Sequence, residues 1–240
     1  WSLKACGDIG DVHKGCILHG ELSRMDLLND TFIGSALVDM YAKCGLLKKA
    51  LEVFDSLPAR NQITWNALIS GYAEHGPFEE ALKCFDHMEL CDVIHDATTF
   101  VSTLKACANL GNIDKGHEIH QKIKQKGFER NLFVGSTLVD MYAKCASLVE
   151  AEKAFKELIF HDVMSWNALV AGYAEQGISH SLIIQCLGEM LAEGTNPNGV
   201  TYACILKSCA TQRDIIKGRD LHKEVSQKGL AEDPFVGSAL

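Results

Sequence analysis

Residues 32–45 read FIGSALVDMYAKCG, residues 133–146 read FVGSTLVDMYAKCA, and FVGSAL from Phe235 starts a third copy. Between them WNALISGYAEHG at 65–76 returns as WNALVAGYAEQG at 166–177, and LKAC at 104–107 echoes LKAC at 3–6 and LKSC at 206–209. The first two pairs are displaced by 101 residues. Self-similarity at this scale marks an array of units, each covering the apolar face of its neighbour.

Inside one period the units resolve into helix pairs. In residues 31–61 the apolar set Phe32, Leu37, Met40 and Tyr41 is followed by Gly45, then by Leu47, Ala50, Phe54 and Leu57. Spacings of three and four are helical. Gly45 suits a left-handed position after the first helix, and Pro58 stops the second because it has no N–H to donate. Residues 62–96 repeat the scheme, with Trp65, Leu68, Ile69 and Tyr72 before the Gly76-Pro77 break and Ala81, Leu82, Phe85 and Met88 after it. Residues 97–131 place Phe100, Leu104 and Cys107 on one helix, Gly111 at the turn, and Ile113, Ile119 and Ile123 on the next. Complete units are read at 31–61, 62–96, 97–131, 132–162, 163–198 and 199–233, with partial ones at 1–30 and 234–240. The fold predicted is all-α, one array in the form of a right-handed solenoid of antiparallel helix-turn-helix repeats. The unit at 163–198 carries one extra residue, since Met88 maps to Met190, and irregularity is expected where Ser179-His180-Ser181 replaces Phe78-Glu79-Glu80.

Composition narrows the function. The chain has 240 residues, 47% hydrophobic and 22% charged, which is a globular profile. No apolar run approaches the roughly 20 residues a membrane crossing needs, so no membrane partner is expected. Thirty-one acidic against 23 basic residues leave a net charge of -8, so bulk positive charge cannot hold nucleic acid here. The ten cysteines contain no C-x-x-C pair and are read as reduced, small packing residues. HKGCILH at 13–19 has the one-sided spacing of a zinc site, but the later copies keep only the last histidine, as His120 and His222. His19-Gly20-Glu21 matches half of a deaminase zinc motif with no cysteine pair after it. Neither a phosphate-binding glycine loop nor a nucleophile elbow occurs. The reading is therefore a non-enzyme with no metal and no cofactor. No targeting peptide opens the chain, and Trp1 and Leu240 both fall within repeats, so a longer whole is expected.

Hairpins of 31 and 35 residues in three-part rotation, carrying MYAKCG, WNAL and LKACANLG, resemble plant pentatricopeptide repeats of the P-L-S subclass. In that resemblance 1–30 is a partial L unit, 31–61 and 132–162 are S units, 62–96 and 163–198 are P units, 97–131 and 199–233 are L units, and 234–240 starts another S. The resemblance implies single-stranded RNA binding, one unit to one base. It puts one base reader early on the first helix and the other at the unit's last residue. The pairs are Ser35 with Asn61, Asn66 with Asp96, Val101 with Asn131, Ser136 with Asp162, Asn167 with Asn198 and Ala203 with Asp233, and Ser238 begins the next.

Chemistry gives the pairs meaning. A carboxylate only accepts, which suits uracil or guanine, whereas an Asn amide can donate to adenine or cytosine. Ser leaves room for a purine, and the longer Asn suits a pyrimidine. Taking the family's parallel polarity, the units read 5'-A, U, any, G, C or U, any-3'. Val101 and Ala203 have no polar group to offer a base, so the L units either read nothing or serve as spacers and partner surfaces; the resemblance favours the second role, with accessory proteins of an editing complex as the partners. Phe32, Ile63, Phe133 and Met164 are either wedges between bases, as in the family, or core residues at a helix start. Lys43 and Lys144 stand where the family faces phosphate, while Glu74 and Glu175 hold the equivalent places in the P units. The resemblance extends to C-to-U editing of transcripts in a mitochondrion or chloroplast. Its rivals are a protein-binding helical scaffold and an RNA stabilisation or processing factor without editing.

Overall fold

The computed structural model describes residues 2–178, 180–211, 213–230 and 232–239. Ser179, part of the segment where irregularity is expected, lies outside the described residues, as do Trp1 and Leu240. Among the described residues every regular element is a helix, and none is long and apolar enough to cross a membrane. The chain packs as two compact units, Trp1–Lys115 and Gly116–Leu240.

In the first unit, hairpins follow one another as α1 (Ser2–Ile9) and α2 (Val12–Arg24), α3 (Thr31–Lys43) and α4 (Leu47–Ser56), and α5 (Gln62–His75) and α6 (Phe78–Leu90). They lead into α7 (Ala97–Leu110) and the start of α8 (Ile113–Gln125). The first helices α1, α3, α5 and α7 pack side by side, and α4 and α6 lie against them. The second unit repeats the scheme after α8 with α9 (Leu132–Lys144), α10 (Leu148–Glu157), α11 (Val163–Glu175), α12 (His180–Ala192), α13 (Gly199–Thr211), α14 (Ile215–Gln227) and α15 (Pro234–Ala239). There α9, α11, α13 and α15 form the row of first helices.

The helix pair at 31–61 shows how the sequence dictates this. Leu37, Met40, Tyr41, Ala50, Phe54 and Leu57 are buried, the 3–4 spacing placing them on facing stripes. Gly45 has φ +71°, and the Leu46 N–H bonds back to the Tyr41 carbonyl at 2.9 Å, closing α3 in the left-handed manner glycine favours. Ala146 takes that place in the second copy at φ +59°, without glycine's freedom. Rows of first helices approach closely because Gly71 and Gly172 are small: a Cβ there would meet the Cβ of Ala42 at 2.7 Å and of Ala143 at 2.8 Å. The additional residue of the 163–198 repeat falls between the end of α11 and the start of α12.

One expectation needs correcting. Phe32, grouped at first with the apolar stripe of α3, is 81% exposed. Ile63, Phe133 and Met164 are 61%, 66% and 54% exposed, so all four leave the core reading. Each is the second residue of its helix, where the side chain has no turn before it to pack on.

Candidate nucleic-acid interface

The last residue of a repeat is also the residue before the next first helix, and there a short polar side chain takes up one of the unpaired N–H groups of the first turn. Asn61 accepts the Thr64 N–H at 3.0 Å, Asp96 the Thr99 N–H at 2.9 Å, Asn131 the Val134 N–H at 3.1 Å, Asp162 the Ser165 N–H at 2.8 Å and Asn198 the Thr201 N–H at 3.1 Å. Capping settles what the other end of each side chain presents. An Asn that spends its oxygen on the helix turns its NH₂ outward, a pure donor. An Asp presents its second oxygen, a pure acceptor.

Four of the expected pairs come together. Asn66 Nδ2 donates to both carboxylate oxygens of Asp96 at 3.0 Å, and Asn167 Nδ2 donates to Asn198 Oδ1 at 3.1 Å. The Ser136 hydroxyl donates to Asp162 Oδ1 at 3.0 Å. The Ser35 hydroxyl gives its proton to the Thr31 carbonyl at 2.6 Å and lies 3.5 Å from Asn61 Oδ1, a looser pairing. Ser35 and Ser136 are buried, Asn66, Asp96, Asp162 and Asn167 half-buried, and Asn61 and Asn198 exposed. A groove of about 440 Å³ in the first unit is lined by Lys43, Ile63, Asn66, Ser70, Glu74 and Asp96, so one of the expected pairs, an exposed apolar side chain and a cation share one concavity.

The remaining expected readers sit differently. Val101 is half-buried on α7, and Asn131 caps α9. Asp233 caps α15 through the Phe235 N–H at 2.9 Å, and its carboxylate lies so close over Gly199 that a Cβ there would collide with it. Ala203 gives it no polar partner. Ser238 is exposed and returns its hydroxyl to the Phe235 carbonyl at 2.8 Å.

The cations are already engaged. Lys43 bridges Asp8 at 2.8 Å and Asp39 at 3.0 Å, and its hydrogen bond holds the Asp8 carboxyl below the ordinary carboxylate range. Lys144 pairs with Asp140 on its own helix at 2.8 Å, and Glu175 lies 4.0 Å from Lys207. The recurring histidines have a structural task. His19 Nδ1 lies 2.8 Å from the Tyr41 hydroxyl and His120 Nδ1 2.8 Å from that of Tyr142, tying a second helix to the next first helix. Among the recurring cysteines, Cys6, Cys107, Cys186 and Cys209 are buried, while Cys44, Cys84 and Cys145 are half-buried.

Sequence reasoning passed over Thr64, Thr99, Ser165 and Thr201, all fully buried beside the expected pairs. Their signal was present as a hydroxyl residue three places after Asn61, Asp96, Asp162 and Asn198.

Three family models match this chain: a PPR repeat family at residues 60–109, a pentatricopeptide repeat domain at 153–212, and a PPR repeat at 35–61 and 98–128. The chain belongs to the pentatricopeptide repeat family. A mitochondrial pentatricopeptide repeat-containing protein of Arabidopsis thaliana is 34% identical over 239 residues, covering 99% of this chain and 23% of the relative. A chloroplastic one from the same plant is 36% identical over 238 residues, covering 99% and 38%. This pentatricopeptide repeat chain therefore spans between about a quarter and two fifths of those relatives' length. Among solved structures, the pentatricopeptide repeat protein PPR10 in complex with an 18-nucleotide psaJ RNA element aligns with a TM-score of 0.77 at 18% identity, over 99% of this chain and 34% of that one. PPR10 from maize aligns at 0.72 and 21% identity, over 99% and 36%. At such identity the likeness establishes the fold, a solenoid of helical hairpins.

Proposed function

We propose that this repeat array binds single-stranded RNA sequence-specifically, one unit to one base, in the order 5'-A, U, any, G, C or U, any-3'. The observation that carries the reading is the set of four polar pairs, each joining an early first-helix residue to the residue that caps the next first helix. The capping bond decides whether a donor or an acceptor faces a base. The exposed side chains of Phe32, Ile63, Phe133 and Met164 are available to stack between bases, as apolar and aromatic groups do in single-strand recognition. The solved RNA complex of PPR10 supports the same use of a shared fold.

The alternation of 31- and 35-residue hairpins supports assignment to the P-L-S subclass and, with it, a role in guiding C-to-U editing of an organellar transcript. The editing chemistry then comes from a separate catalytic domain or protein. The L units, whose Val101 and Ala203 cannot read, are surfaces for accessory proteins of that complex. The mitochondrial and chloroplastic relatives support an organellar location.

A protein-binding scaffold is the second reading, favoured by one observation: Lys43 is neutralised by Asp8 and Asp39 while Glu74 and Glu175 stand exposed. Fluorescence anisotropy with labelled single-stranded RNAs separates the two. The proposal requires tighter binding to RNA carrying A-U-any-G-pyrimidine than to the same bases permuted. Equal binding to both, or none, favours the scaffold.

A further inference from the structure

Thr99 is the third residue of α7 and Thr201 the third of α13, and both side chains are fully buried. The Thr99 hydroxyl accepts the Asp96 N–H at 3.1 Å and lies 2.6 Å from Asn66 Oδ1. Thr201 repeats this, accepting the Asn198 N–H at 3.1 Å and lying 2.6 Å from Asn167 Oδ1. A hydroxyl has one proton to give. Its oxygen already accepts from the cap N–H, and of the two acceptors in range, the carboxamide oxygen at 2.6 Å and the Oδ1 of Asp96 or Asn198 at 3.1 Å, the nearer carboxamide takes the proton. That bond holds the amide oxygen inward and turns the NH₂ toward Asp96 or Asn198.

The S units differ. Thr64 Oγ1 is 2.7 Å from Asn61 Oδ1 and 3.2 Å from the Ser35 hydroxyl, so it supports the last residue more than the first. Ser165 gives its proton to the Asp162 carbonyl at 2.9 Å, and Ser136 turns instead to the Asp162 carboxylate. Where the early reader is apolar, at Val101 and Ala203, the corresponding third residues are Val134 and Val236. A buried hydroxyl thus accompanies the early residues Ser35, Asn66, Ser136 and Asn167 and is missing beside Val101 and Ala203.

We infer that Thr99 and Thr201 are positioning residues for base recognition, fixing which end of the Asn66 and Asn167 amides meets the base. They act through those amides and touch no base themselves. The inference rests on the RNA-reading proposal.

Thr99→Val and Thr201→Val remove the hydroxyl and keep the shape, and Thr99→Ser and Thr201→Ser keep the hydroxyl. Each variant of the 240-residue chain is titrated with RNAs carrying each of the four bases opposite the affected unit, with thermal melting followed in parallel. Loss of one net hydrogen bond predicts that the pyrimidine-over-purine preference at that unit falls roughly 3- to 10-fold. Preferences at the other units stay unchanged, and Ser restores the parent value. A purely structural role would weaken binding to all RNAs alike and leave the preference intact, and that result overturns the inference while RNA reading stands. Absence of any preference at these two positions in the parent chain overturns the reading and the inference together. The two Val variants are made separately, so if one fails to melt cooperatively the other decides.

Discussion

Asp96→Asn should invert the preference of the 62–96 unit from uracil toward cytosine while leaving the fold almost untouched. Asn and Asp are about equally good before a helix, so loss of the carboxylate at the start of α7 changes stability by only a few tenths of a kcal/mol. The protein itself supplies the precedent, because Asn198 caps α13 and still receives the Asn167 amide at 3.1 Å. The outward atom, however, changes from acceptor to donor. Opposing like groups forfeit a hydrogen bond and strand a polar atom, which costs about 1–3 kcal/mol when buried. Asn66 and Asp96 are only half-buried, which puts the expected change in the uracil-to-cytosine ratio at the low end, roughly 5- to 20-fold. Removing a negative charge also raises affinity for every RNA, so the ratio between two RNAs differing at one base is the quantity to measure, by anisotropy titration. An unchanged ratio from a variant that melts like the parent would refute the argument that the outward end of the cap residue reads the base.

Three further expectations follow from particular interactions. Ala146→Gly relieves a left-handed alanine and should raise stability by about 0.5–1 kcal/mol, whereas Gly45→Ala at the matching turn should lower it by about 1 kcal/mol, both read from urea melts. Burial pulls the pKa of His19 and His120 below the ordinary value. The unfolded chain therefore takes up protons that the folded one refuses, and stability should fall as pH drops below about 6.5 and level off once the folded-state pKa values are passed. His19→Gln with His120→Gln should flatten that dependence in urea midpoints between neutral and mildly acid pH. Lys43→Glu with Lys144→Glu should weaken binding to all RNAs alike, and the salt dependence of log K should become shallower by about 0.7 for each phosphate that a lysine no longer neutralises.

Much of the fold is legible because each helix carries its own spacing signal and the signal returns displaced by 101 residues. Gly45 and Pro58 punctuate the first complete repeat, and its helices end beside them. The proposed reader pairs were placed by the family resemblance, and their last residues Asn61, Asp96, Asp162 and Asn198 each stand before a helix, where a capping side chain is held in place. Phe32 misleads because apolar character alone does not fix burial. Its neighbours three and four residues on are Ser35 and Ala36, so no stripe runs through it. Of the partners of Lys43, Asp39 stands four residues before it on the same helix, but Asp8 was beyond reach, since it lies 35 residues away and meets Lys43 only through packing of α1 on α3. Thr99 was hidden by its own ordinariness: a Thr three residues after a cap reads as part of a capping box, and nothing local reveals that its hydroxyl also reaches Asn66.

Selection from a randomised single-stranded RNA pool tests the central claim most directly. The 240-residue chain is incubated with the pool at about 0.1 M salt, where exposed charges are screened beyond about 10 Å, and the retained RNAs are sequenced. One-unit-one-base reading predicts enrichment of A-U-any-G-pyrimidine in that order. Retention with no enriched sequence, or enrichment in a different order or spacing, would contradict it.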